Sequence, residues 1–172
     1  MIGEESKSET RIFTRLSIEM NDIKQVHNLI NTQTGGSNVK SGTILNTWDI
    51  LSVETKTEKI FEQLVEKAAI DIIKLDMRER LTWFLNKKKV NEAVNKQIMF
   101  EISYGPTLEE PSTRKNFLSN AFNLCKLTKG KNLILTSESK DYLYCWSPIE
   151  LVAIGMSFGM SKQQAIDAVS TN

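Results

Sequence analysis

The sequence predicts an α/β fold, with about five parallel strands in one sheet and helices packed around it. Two observations carry this. Short apolar, β-favouring segments recur between turn residues, and stretches with apolar side chains on a 3.6-residue period lie between them. A strand followed by an amphipathic helix and another strand is joined by a crossover, which makes neighbouring strands parallel. Length adds a third constraint, because 172 residues suit one domain with one core.

The first strand is expected over residues 12–18 (IFTRLSI), with Asn21 or Asp22 capping a short helix to about Ile30. Residues 32–43, rich in Gly, Ser, Asn and Thr and containing Gly35-Gly36, read as a loop. A second strand is expected over 48–53. A helix follows over 56–69, with Ile60, Phe61, Leu64, Val65 and Ala68 on one face. The third strand is IDIIKL, residues 70–75. Residues 77–89 are mixed and end in Lys87-Lys88-Lys89, a charge run of the kind found at loop tips, before a short helix over 90–97.

The fourth strand is expected over 98–104, a Tyr-Gly-Pro turn follows it, and the fifth strand spans 132–136. Between them lies the strongest helix, 112–127, with Phe117, Leu118, Ala121, Phe122, Leu124 and Cys125 on its apolar arc. Ser147-Pro148-Ile149-Glu150 forms a capping box with proline at the first helical position. Gly159 can end that helix in a left-handed turn, and Ser161 with Gln164 starts the last one. Residues 1–10 read as a disordered start, and 11–172 as a single domain.

Composition narrows the function classes. Hydrophobic residues make up 40% and charged residues 25%, as in ordinary globular proteins. A net charge of +1 supplies no global field for nucleic acid, so any RNA contact must be a local patch. No apolar run reaches the ~18 residues of a membrane span. Cys125 and Cys145 lack metal-type spacing and fit a reduced compartment with buried or inert thiols.

Residue types for chemistry are sparse. The single histidine, His27, sits in a surface helix without a metal-binding pattern. Acids close to strand ends are Glu54, Asp76, Glu109, Glu110, Glu138 and Asp141, residue types that are commonly just solvated. The sequence therefore offers no catalytic residue, no metal site and no cofactor site.

Residues 100–172 carry a resemblance. Their order is FEISYGP, a basic helix, LTKGKNLILTS, then SPIELVAIGMSFGMS and a closing AVSTN. This resembles the thirty-kilodalton protein subunits of ribonuclease P and ribonuclease MRP, a family with a TIM-like (βα) barrel related to the PHP phosphoesterases. The resemblance implies a barrel of this kind that is incomplete here. By that resemblance the chain is expected to start near the family's third strand, at Arg11 to Leu16, and to stop before a further apolar segment. A closed barrel normally has about eight strands. The resemblance also implies a non-catalytic, RNA-binding subunit whose complex matures precursor tRNA 5′ ends, with rRNA processing in MRP. It implies a ribonuclease P or MRP RNA and other protein subunits as partners, precursor tRNA as an indirect one, no membrane, and a nuclear and nucleolar location. Alternatives are a divergent PHP-like metal-dependent phosphoesterase and a truncated protein-interaction module.

Beside this stretch, Arg114, Lys115, Lys126, Lys129 and Lys131 are the candidate RNA-binding residues, against the alternative of a solvated helix face; Lys87-Lys88-Lys89 is a second candidate patch, against the alternative of a loop tip. Arg114 falls in a first helical turn, where backbone N–H groups also attract anions. Where the family has an arginine before the helix-opening proline, this chain has Trp146. Tyr142, Tyr144 and Trp146 can stack on bases, dock a protein or cover part of the core. The helix over 149–158, apolar nearly all round, needs cover on both sides, from the next helix or from a partner.

Overall fold

The computed structural model describes residues 12–33, 48–139 and 141–170. The expected start at 1–10 and most of the glycine-containing loop lie outside them. Five strands form one sheet: β1 (Arg15–Met20), β2 (Ile50–Thr55), β3 (Ile72–Leu75), β4 (Met99–Ser103) and β5 (Leu133–Thr136). All are parallel, and their order in space is their order in sequence. A sheet wound in one direction keeps its crossover helices on one face, the arrangement of a barrel wall.

The helices are α1 (Ile23–Gln33), α2 (Glu58–Lys67), α3 (Lys87–Asn95), α4 (Gly105–Glu109), α5 (Arg114–Thr128), α6 (Pro148–Ser157) and α7 (Lys162–Ser170). Alternation along the strands sends Val53, Ile73, Phe100, Ile102 and Leu133 to the helix-covered side, where each is fully buried. Phe61 and Leu64 of α2, Val90 of α3 and Leu124 of α5 complete that core.

Several boundaries move for identifiable reasons. Ile12 and Phe13 stay 87% and 62% exposed, because ladder pairing begins only at Arg15 opposite Ile50. Just before it, the Asp49 carboxylate accepts from the Thr14 N–H at 2.7 Å. The Lys87-Lys88-Lys89 run is not a loop tip but the first turn of α3. Asn86 caps it, its side-chain oxygen accepting from the Lys88 N–H. The Tyr-Gly-Pro segment is not a simple turn: it opens the short helix α4. At α6 the capping box is complete, and Gly159 follows with φ of +90°, a backbone setting that favours glycine.

Candidate functional site

The other face of the sheet is polar, and it positions the site. Along β1 it presents Arg15, Ser17 and Glu19; along β2, Ser52 and Glu54; then Lys74 of β3, Glu101 and Ser103 of β4, and Thr136 of β5. Register alone would keep Arg15 from Glu101. Glu101 lies opposite Lys74, which lies opposite Glu54, which lies opposite Glu19, four residues along β1 from Arg15. On a flat sheet the two Cα atoms would stand on the order of 19 Å apart, given ~4.8 Å between strands and ~3.3 Å per residue. Yet both terminal guanidinium nitrogens of Arg15 donate to the two Glu101 oxygens, the Nη1–Oε1 bond at 2.9 Å. The sheet therefore curls, with this polar face on the concave side.

Glu101 is 4% exposed and is held by more than Arg15. The Thr136 hydroxyl donates to it at 2.9 Å, while Arg15 also donates to the Ser52 hydroxyl at 2.8 Å. Burial pushes the Glu101 carboxyl up, but the Arg15 hydrogen bonds and charge outweigh it and leave the group below its ordinary value. Lys74 sits between Glu54, 3.0 Å away, and Glu138. Burial lowers its ammonium, and hydrogen bonds to Glu138 and Glu54 raise it by more.

At the rim, Asp76 accepts from Arg78 through both carboxylate oxygens, at 3.0 and 2.8 Å. That contact, foremost, holds its carboxyl down at about 2. Lys56 bridges Asp76 and Glu19 at 3.5 and 3.7 Å. A cavity of about 380 Å³ opens here, lined in part by Glu19, Glu54, Lys56, Lys74, Asp76 and Glu138.

Each of these five carboxylates, Glu19, Glu54, Asp76, Glu101 and Glu138, faces at least one of the cations Arg15, Lys56, Lys74 and Arg78. Among the described residues no three His, Cys, Asp or Glu side chains stand together as a metal site would need. His27 lies on the exposed side of α1. Cys125 is buried, which pushes its thiol up to about 12, whereas Cys145 is exposed; both are free thiols. The expectation of buried or inert thiols thus holds for Cys125, while Cys145 is not buried.

The candidate RNA-binding residues lie on α5 and the turn after it, all exposed. They do not converge on one spot. Arg114 and Lys115 start the helix, with the Arg114 Nε donating to the Thr107 carbonyl at 3.1 Å. Lys126, Lys129 and Lys131 lie at its other end, about 18 Å away along the axis at 1.5 Å per residue. Lys129 adopts the left-handed conformation that ends α5, at φ of +56°.

Trp146 stacks on Tyr104 with ring centroids 5.0 Å apart, and its backbone N–H donates to the Tyr104 hydroxyl at 2.9 Å. The residue at the arginine position is thus partial core cover, whereas Tyr142 is 81% exposed. Ile149 and Met156 of α6 are exposed too, while Leu151 packs into the core. Of this charged face, the acids Glu54, Asp76 and Glu138 stand out in sequence near strand ends, whereas Arg15, Glu19, Lys74 and Glu101 are hidden inside segments that look like ordinary strands. Their signal was a period-two polar pattern, visible in Arg15-x-Ser17-x-Glu19 and Glu101-x-Ser103.

The family model described as "RNase P subunit p30" matches residues 3–172. The chain is 32% identical over 162 residues to "Ribonuclease P protein subunit p30" of Mus musculus, aligning 94% of this chain with 57% of the relative. It is 24% identical over 163 residues to "Probable ribonuclease P protein subunit 3" of Schizosaccharomyces pombe, aligning 95% with 64%. The chain thus spans somewhat more than half the length of these two relatives. In fold it is similar to a chain of archaeal ribonuclease P solved by cryo-EM with mature tRNA: TM-score 0.65, 15% identity, 94% of this chain and 67% of that one. A curled, singly wound parallel sheet and a family match over nearly every residue lead to one conclusion: this chain belongs to the RNase P subunit p30 family.

Proposed function

We propose that this chain is a non-catalytic, RNA-binding protein subunit of a ribonuclease P ribonucleoprotein that supports 5′ maturation of precursor tRNA. The observation that carries the reading is the family match over residues 3–172. The concave face supports it as well. Its carboxylates are engaged by Arg15, Lys56, Lys74 and Arg78, where a hydrolytic metal centre needs them free as ligands.

In this reading the chain folds, docks and neutralises phosphate, and the catalytic element is the RNA. Arg114, Lys115, Lys126, Lys129 and Lys131 serve as phosphate contacts, from the two ends of α5. The partners are a ribonuclease P or MRP RNA and other protein subunits, with precursor tRNA reached through the assembly. The place of work is the nucleus, including the nucleolus if the chain also serves MRP in rRNA processing.

The test is capture of a tagged copy from its own cells, followed by sequencing of the bound RNA. Enrichment of a ribonuclease P RNA is expected, and an MRP RNA beside it would extend the role to MRP. A folded, expressed protein that brings down neither RNA would overturn the reading.

A further inference from the structure

The segment between β3 and α3 is irregular yet tied down at nearly every step. Asp76 holds Arg78. From α5, the Asn120 side chain donates to the carbonyls of Met77 and Glu79 at 3.1 and 2.8 Å. Asn116 donates to the Arg78 carbonyl at 3.3 Å. The Trp83 indole N–H donates to the Lys56 carbonyl at 2.9 Å, and its ring lies 5.5 Å from that of Phe61. Leu85 packs on the core, and Asn86 caps α3. Between these two anchored neighbours Phe84 stands 91% exposed. With Trp83 and Leu85 both fixed inward, its ring has no route back to the core.

Charge along the segment that carries this ring is one-sided. Residues 78–88 hold Arg78, Arg80, Lys87 and Lys88 against the single carboxylate Glu79. Arg78 is neutralised by Asp76, but Arg80, Lys87 and Lys88 have no ion pair among the described residues. Other cations nearby, Lys56, Lys74 and Lys89, each have a carboxylate. Arg80 and Phe84 line a common shallow cleft of about 410 Å³ with Leu81, Thr82 and Trp83.

A flat aromatic face held outward beside unpaired cations matches a single nucleic-acid strand: a base stacks on the ring while the cations meet the phosphates. Leu81 and Trp83 give the cleft apolar walls that a protein could also use, but the excess of unpaired cations over carboxylates in this segment favours a polyanion. We propose that this β3–α3 loop is a single-stranded RNA contact, with Phe84 as the stacking platform and Arg80, Lys87 and Lys88 as phosphate contacts. The proposal rests on the RNA-subunit reading above and adds a site distinct from the five α5 residues.

The test is fluorescence anisotropy of the full chain with a labelled oligouridylate, and with a labelled duplex of equal length, at several salt concentrations. The single strand should bind more tightly than the duplex. Phe84→Ala and Phe84→Leu should each weaken single-strand binding about tenfold, whereas Phe84→Trp should retain it. Leucine keeps apolar area and loses the flat face, so it separates stacking from simple burial. Alanine at Arg80, Lys87 and Lys88 together should flatten the salt dependence by about 0.7 in log–log slope for each phosphate no longer neutralised. Thermal melts would show that these exposed variants fold.

Native-like binding by Phe84→Leu overturns the proposal, as does equal affinity for single strand and duplex, or no binding by the native chain. Loss of a protein subunit from tagged capture by Phe84→Ala, with oligouridylate binding intact, would make the loop a protein dock instead. None of these outcomes changes which RNA the native chain captures, so the subunit reading is judged separately.

Discussion

Arg15 on the first strand grips Glu101 on the fourth, 86 positions away, and the grip is possible only because the sheet curls. Glu101 is almost wholly buried while Arg15 remains part exposed, so the carboxylate depends on the guanidinium more than the reverse. Arg15→Met should destabilise the fold by about 2–3 kcal/mol, below the usual cost of stranding a fully buried charge because water can reach the site. Without Arg15, burial pushes the Glu101 carboxyl up against only the Thr136 hydrogen bond and the Lys74 charge. The variant should therefore recover part of its deficit on acidification. Urea denaturation at neutral and mildly acidic pH measures both effects, and native stability in Arg15→Met would show that the grip contributes nothing.

Asp76 supplies a pH signature. Its folded value of about 2 lies below the ordinary 3.8, mainly through the Arg78 hydrogen bonds. A depressed carboxyl contributes stability that is full above its unfolded value and is lost as pH falls through the folded one. The window is thus from pH ~4 down to ~2. Asp76→Asn should cost roughly 1–2 kcal/mol at neutral pH, a discounted figure because Arg78 is half exposed, and the difference from native should vanish across that window. Parallel stability curves for the two proteins down to the acid limit would refute the assignment.

Gly105 opens α4 against the loop after β5. Its N–H donates to the Ser137 carbonyl at 2.8 Å, and a Cβ there would lie only 2.2 Å from that same oxygen. Backbone cannot give way as a side-chain tip does, so Gly105→Ala should destabilise by about 1–3 kcal/mol or more. The shift should also displace neighbouring Glu138 from Lys74. A denaturation midpoint equal to native would show that the two loops tolerate separation.

The two ends of α5 should act separately on RNA. About 18 Å of helix lies between Arg114 and Lys126, so the two groups meet different phosphates. Alanine at Lys126, Lys129 and Lys131, and alanine at Arg114 and Lys115, should each weaken association with the captured RNA. Each group should reduce the salt slope by about 0.7–0.9 per residue, and the free-energy effects should add. Filter binding across a salt series measures this. Unchanged affinity in both variants, with the fold intact, would remove α5 from the interface.

Local sequence was enough for most elements, because apolar period and caps act over a few residues. Ser147 and Glu150 announced α6, and Ile60, Phe61, Leu64 and Val65 announced the inner face of α2. It misled where composition and pairing disagree. Ile12 and Phe13 look like strand but precede the ladder, and three lysines look like a loop tip but follow a capping asparagine.

By itself, then, the sequence determined the alternating strands and helices, the family resemblance and the supply of basic residues on α5, since each is written in contiguous residues. Tertiary structure alone decided which charges meet. Arg15, Glu101, Lys74 and Glu138 come from segments far apart in the chain, and their pairing depends on the register and curl of five strands. It also decided that Phe84 stays in solvent, because Trp83 and Leu85 take the inward positions. Partner choice among distant side chains follows the shape of the whole sheet, which no local window contains.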